Sequence, residues 1–210
     1  MKNITFSNPH RQKHFDFFNQ MNHPHFNITV ELEVPKFVSF VKDLKIKFTP
    51  AMVFAIAKAA NAVKEFKWRI KNGQVIEHHY VHPSYALHTE ASSVFSFCTV
   101  AFQSKLTDFV NDALQVEAKM QQNPSFEDEP DRDDYLFMSS IPWFHFTAIQ
   151  HAMQYHPCDS VPRFTFGKYI KRNNKLMMPL SIQVHHALVN GKEVATFLEV
   201  LQEYLNKPES

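Results

Sequence analysis

The hydrophobic period of this chain switches back and forth between two residues and three-to-four, and the order of those switches restricts the fold more than any motif does. After Thr49-Pro50, the residues Met52, Val53, Ile56, Ala60 and Val63 recur at helical spacing, which predicts a core helix running to about Phe66. Thr49 is its expected cap and Pro50 its first-turn proline. Three further helices are expected. His10 to Met21 groups His14, Phe15, Phe18 and Met21; Ser104 to Gln121 turns Leu106, Phe109, Val110, Ala113, Val116 and Met120 inward; Gly191 to about Leu205 buries Val194, Phe197, Leu198 and Leu201. Strand-like runs fall between them at Asn27 to Val34, Ser92 to Phe102, Leu136 to Gln150, Arg163 to Tyr169 and Leu176 to His186. Val30, Leu32 and Val34 share one face of the first run, and Pro35 ends it. Asn72-Gly73 marks a hairpin turn because it accepts positive φ angles, and a second hairpin turns near Asn173-Asn174. Helices and strands that mix without strict alternation predict an α+β fold, a two-layer sandwich in which helices pack on a mixed, largely antiparallel sheet.

With 210 residues, 44% of them apolar and 21 of them Phe, the chain suffices for a single packed domain spanning residues 1–210. The 22 Lys and Arg nearly balance 21 Asp and Glu, and no basic stripe interleaves with aromatics, which argues against nucleic acid as a partner. Met1 to Gln20 carries charges and histidines throughout, so neither a signal peptide nor a membrane span is expected there, and the expected location is cytoplasmic. Cys98 and Cys158 are too few for a disulfide framework and lack zinc-site spacing. Gly73, Gly167 and Gly191 stand too far apart to build a phosphate-cradling loop. The acidic run Glu127 to Asp134 reads as a solvated loop.

Thirteen histidines invite a search for metal ligands. His78 and His82 share a strand face but stand about 13 Å apart, too far for one ion. His23 and His25 flank Pro24 with no carboxylate or cysteine at a recognisable spacing, so no metal is expected there. His186 is different. Alternation groups it with Leu180, Ile182 and Val184, opposite Ser181, Gln183 and His185, at the end of an apolar row just before an Asn190-Gly191 turn. Two readings fit this position: a core histidine satisfied by a backbone carbonyl, or a desolvated imidazole, held neutral and close to a loop, that serves as a general base.

The segment Pro179-Leu-Ser-Ile-Gln-Val-His-His-Ala-Leu-Val-Asn-Gly191 resembles the His-His-Ala-Val-Cys-Asp-Gly signature of the chloramphenicol acetyltransferase family. The resemblance extends in order along nearly the whole chain: His10-Arg11 with His14-Phe15, Phe48-Thr-Pro-Ala, Lys71-Asn-Gly73, His82-Pro83, Ile141-Pro-Trp143, and Phe166-Gly-Lys-Tyr169 leading to Leu176-Met-Met-Pro-Leu180. It implies an O-acetyltransferase with acetyl-CoA as cosubstrate. The acceptor would be chloramphenicol or a similar small hydroxylated molecule, and the assembly a homotrimer with sites between subunits. His186 would be the base that takes the acceptor's proton.

Two departures from the family pattern accompany it. The family's aspartate after the histidine pair is Asn190 here, so the ion pair it would make with Arg11 is replaced by at most a neutral hydrogen bond from the guanidinium. On the expected strand after Pro142-Trp143, the family's oxyanion-binding serine aligns with Ala148, a lost donor; Thr147 would face the other way. Activity would then be weak. Thr165 aligns with a threonine that holds a water near the reaction centre, and Phe26 and Tyr85 align with segments that line the acceptor pocket. Two alternatives stand beside the enzyme: a catalytically impaired or non-enzymatic trimer that binds a small ligand between subunits, and a dihydrolipoyl acyltransferase core, for whose extra domains the chain has no room.

Overall fold

A computed structural model describes residues 1–127, 129–153 and 156–209. The elements in order are β1 (Lys2–Ile4), α1 (Pro9–Asn19), β2 (His25–Glu33), α2 (Pro35–Asp43), α3 (Phe48–Ala62), β3 (Trp68–Lys71) and β4 (Gln74–Glu77). They continue with β5 (His82–His88), β6 (Phe95–Thr99), α4 (Leu106–Gln122), β7 (Tyr135–Ile141), β8 (Arg163–Gly167), β9 (Ile170–Arg172), β10 (Lys175–His185) and α5 (Gly191–Asn206). The main sheet has the order β2-β10-β8-β7-β5-β6, with β9 pairing β10. Its β5-β7 and β7-β8 ladders are parallel and the rest antiparallel. Strands β1, β4 and β3 form a small separate sheet. This is the expected mixed sheet with helices on it.

The apolar stripe of α3 is fully buried, and the helix packs against α4, α5 and the sheet through β5 and β7. Its start differs from expectation in one detail: Lys47 occupies the cap and Thr49 lies within the first turn. Pro35 ends β2 and also opens α2, since a proline is accommodated where the helix has no amide partner to lose. The two hairpins turn as expected, with positive φ at Asn72, Gly73, Asn173 and Asn174.

Two strand expectations fail. The run expected to hold His78 and His82 on one face is broken, β4 ending at Glu77 and β5 starting at His82, and the run from Leu136 leaves the sheet at Ile141, so residues 142–150 are not a strand. Pro142 lacks the amide that would extend the ladder.

The sheet register sorts side chains onto two faces. Phe26, Ile28, Val30 and Leu32 of β2 oppose Val184, Ile182, Leu180 and Met178 of β10 and, with Phe164, Phe166, Met138 and Tyr85, face the helices. The other face carries Thr29, Ser181, Thr165 and Ser139 in one row, and Asn27, Gln183, Arg163, Phe137 and Ser84 in the next. That second face is polar across the sheet, with residues from the 142–162 connection over part of it.

Candidate active site

His186 stands one residue past the end of β10, where the chain turns back: the Leu188 and Val189 amides both donate to the His185 carbonyl at 3.0 Å. Its own amide donates to Pro24 O at 2.8 Å, fixing it to the start of β2. Phe18 of α1, Phe26 and His14 surround the ring at centroid distances of 4.1, 4.7 and 5.5 Å. Nδ1 lies 3.3 Å from Val189 O. A carbonyl only accepts, so this bond places the ring proton on Nδ1 and leaves the Nε2 lone pair free. One ring nitrogen is therefore tethered to the backbone, an arrangement that suits both readings of this histidine.

Arg11 holds the turn in place. Its Nη1 donates to Ala187 O at 2.8 Å and its Nη2 to Leu188 O at 2.9 Å, while Nη1 also meets His14 Nδ1 at 3.0 Å. The expected Arg11–Asn190 hydrogen bond gives way to these carbonyls, which two adjacent peptide groups present in the right fork geometry. Asn190 instead caps α5, its amide donating to Glu193 Oε2 at 2.8 Å. Burial and then Arg11 push His14 below the ordinary histidine value, so the neighbour of His186 stays uncharged.

The remaining expected site residues lie elsewhere. Tyr85 belongs to the helix-facing row of β5, is 1% exposed and donates to Glu117 Oε1 at 2.9 Å; it is a core residue. One residue away, Ser84 points to the polar face, because a shift of one position reverses a strand side chain. Ala148 lies on an irregular segment and lines a cavity of about 620 Å³ together with Thr147, Phe26 and Asn27, so the alternation that set Thr147 apart does not operate.

The hydroxyl next to Thr165 is Ser139. The two are register partners on β7 and β8, with side chains on the same sheet face. Ser139 lines a cavity of about 460 Å³ with Ser84, Phe95, Phe97, Phe137 and His151. In the sequence Ser139 looks like an ordinary residue of a buried strand; the register of β7 with β8 sets it beside Thr165 on the polar face, ahead of Pro142-Trp143. His151 Nε2 is 3.1 Å from Thr165 Oγ1. Burial and then Arg163 lower this imidazole to about 4, so it is neutral at physiological pH. Arg163 itself is engaged by Asp159 through two bonds of 2.9 and 2.7 Å.

Within one chain these two halves do not meet. Thr165 opposes Ser181, and β10 continues four residues to His185 before His186 is reached. At about 3.3 Å per residue, the strand alone separates His186 from Thr165 by on the order of 15 Å. Phe26, against which His186 packs, is on the helix-facing side, whereas Ser139 and Thr165 are on the polar side.

The sequence profile of the family described as chloramphenicol acetyltransferase matches residues 1–202. The chain belongs to the chloramphenicol acetyltransferase family. A chloramphenicol acetyltransferase from Klebsiella is 31% identical over 204 residues, covering 97% of this chain and 93% of that protein. One from Clostridium perfringens is also 31% identical, over 202 residues, covering 93% of this chain and 94% of that protein. Among solved structures, a chloramphenicol acetyltransferase superposes with a TM-score of 0.83 at 21% identity, over 97% of this chain and 99% of that one. A dihydrolipoamide acetyltransferase of Azotobacter vinelandii shares the fold with a TM-score of 0.70 at 18% identity, over 93% of this chain and 86% of that one. Family and fold make the protein an acyltransferase that uses an acyl-coenzyme A. Among the described residues, no helix is long and apolar enough to cross a membrane.

Proposed function

We propose that this protein transfers the acetyl group of acetyl-CoA to a hydroxyl of chloramphenicol or a similar small acceptor, with His186 as general base. The observation that carries the reading is the His186 ring: Nδ1 tethered to Val189 O, Nε2 free, and the turn clamped by Arg11. Nε2 removes the acceptor's hydroxyl proton as the oxygen attacks the thioester carbonyl. A tetrahedral oxyanion forms, and its collapse breaks the carbon–sulfur bond and expels the coenzyme A thiolate, which takes the proton from the imidazolium and leaves as the thiol. The Ser139 hydroxyl is the oxyanion donor, with Thr165 beside it. The expectation of weak activity rests on Ala148 and Asn190; with Ser139 as the donor, Ala148 no longer argues for it.

Because His186 and Ser139 lie on opposite sides of the sheet, the site forms between two copies, and a homotrimer with one site at each contact satisfies this. In that arrangement the cavity holding Ser139 accepts the hydroxylated molecule. A cleft of about 360 Å³ lined by Phe48, Thr49, Ser140, Lys168 and Tyr169 lies at the neighbouring residue of β7, on the sheet face opposite Ser139. The Azotobacter relative was studied for the catalytic role of a serine, a histidine and an asparagine, and that histidine and asparagine are four residues apart. His186 and Asn190 have the same spacing, which supports an asparagine at this cap as compatible with turnover.

The test is release of free coenzyme A from acetyl-CoA in the presence of chloramphenicol and a panel of hydroxylated acceptors, for the native protein and His186→Ala. Turnover that disappears in the variant supports the reading. No turnover with any acceptor, together with no binding of coenzyme A, leaves the non-enzymatic trimer in its place.

A further inference from the structure

Residues 142–153 run from the end of β7 back across the polar face of the sheet, and His151 is where that segment reaches the hydroxyl row. Its amide donates to Gln183 Oε1 of β10 at 3.4 Å, and its Nε2 meets Thr165 Oγ1 at 3.1 Å. Thr165 is 0% exposed, so its hydroxyl needs a partner within the protein. An unpartnered threonine hydroxyl rotates among staggered positions; a single imidazole nitrogen at hydrogen-bond distance selects one of them. The hydroxyl thus fixed adjoins Ser139, its register partner, and His151 and Ser139 line one cavity.

We propose that His151 is a positioning residue for acyl transfer: its hydrogen bond to Thr165 fixes the threonine hydroxyl beside Ser139, so that both hydroxyls meet the reacting carbonyl in one arrangement. The proposal rests on the acetyltransferase reading above. His151 touches neither the base nor the thiol and acts through Thr165 alone. An imidazole that served only as filling would be replaceable by any side chain of similar size. One that positions Thr165 is replaceable only by a group that keeps the hydrogen bond.

Steady-state kinetics of coenzyme A release distinguish these cases. His151→Leu keeps the volume and removes the bond; kcat is expected to fall about five- to tenfold, the worth of one buried hydrogen bond, with KM for acetyl-CoA unchanged. His151→Gln, which can reach Thr165, is expected to restore most of the rate. In the double variant with Thr165→Val, the leucine change is expected to add nothing further, since the partner is already gone. Should His151→Leu fail to fold, Thr165→Val and His151→Gln carry the same comparison. Native kcat in His151→Leu, or equal and additive losses in all three variants, overturns the proposal while leaving His186-dependent turnover intact. Absence of transfer in the native protein defeats this proposal together with the function it rests on.

Discussion

Replacing Ser139 with alanine removes one hydroxyl from the polar face and nothing from the core. Ser139 is partly exposed on β7, and among the described residues no side chain is seen to hydrogen-bond to it, so folding stability is expected to change by less than about 0.5 kcal/mol. Its consequence is confined to the transition state, where a donor aimed at a developing oxyanion contributes roughly 2.7–4 kcal/mol. The expected result is a fall in kcat of about 10²–10³-fold with KM for both substrates nearly unchanged, measured by coenzyme A release. The reciprocal change, Ala148→Ser, puts a hydroxyl on the irregular segment at the other cavity and is expected to leave kcat within about twofold. A Ser139→Ala variant as fast as the native protein, or an Ala148→Ser variant more than about tenfold faster, would refute the assignment of the donor to β7 and return it to the segment after Trp143.

Other consequences follow from single residues. Arg11→Met leaves the Ala187 and Leu188 carbonyls without their charged donors; a loss of about 2 kcal/mol in stability, and a larger fractional loss in kcat than in acetyl-CoA affinity, is expected from urea unfolding and kinetics. Gly167→Ala places a Cβ 2.7 Å from Pro179 Cγ and 2.9 Å from the Phe146 ring, so the sheet or the 142–150 segment must shift, at a cost of about 1–3 kcal/mol read from the urea midpoint. Burial lowers His25 and His151 to about 4 and His185 to about 3. All three are neutral in the folded state where the unfolded chain takes up protons. Stability is therefore full above about pH 6.5 and declines as pH falls toward 4, by at most about 1.4 kcal/mol per pH unit for each histidine. Unfolding midpoints that stay constant from pH 7.5 to 4.5 would show that these imidazoles are solvated.

The sequence alone determined the elements whose pattern is local. The stripe on α3, the alternation of β10 and the asparagine-containing turns need only neighbouring residues to be legible, because each is the direct imprint of a repeat of 3.6 or 2 or of a positive φ. His186 was legible for the same reason, as the end of an alternating row followed by a turn, and the family signature gave it a role. What the sequence did not determine was where a strand stops and which residues of separate strands share a face. The end of β7 at Ile141 left Ala148 on an irregular segment while Ser139 stands beside Thr165, and one step of alternation on β5 put Tyr85 into the core and Ser84 into the cavity. Likewise, Arg11 meets carbonyls and His151 meets Thr165 across separations of 176 and 14 residues, through sheet register and the return of the 142–153 segment. Pairing of distant strands is set by burial of the whole helix-facing side at once, and tertiary structure alone decides it.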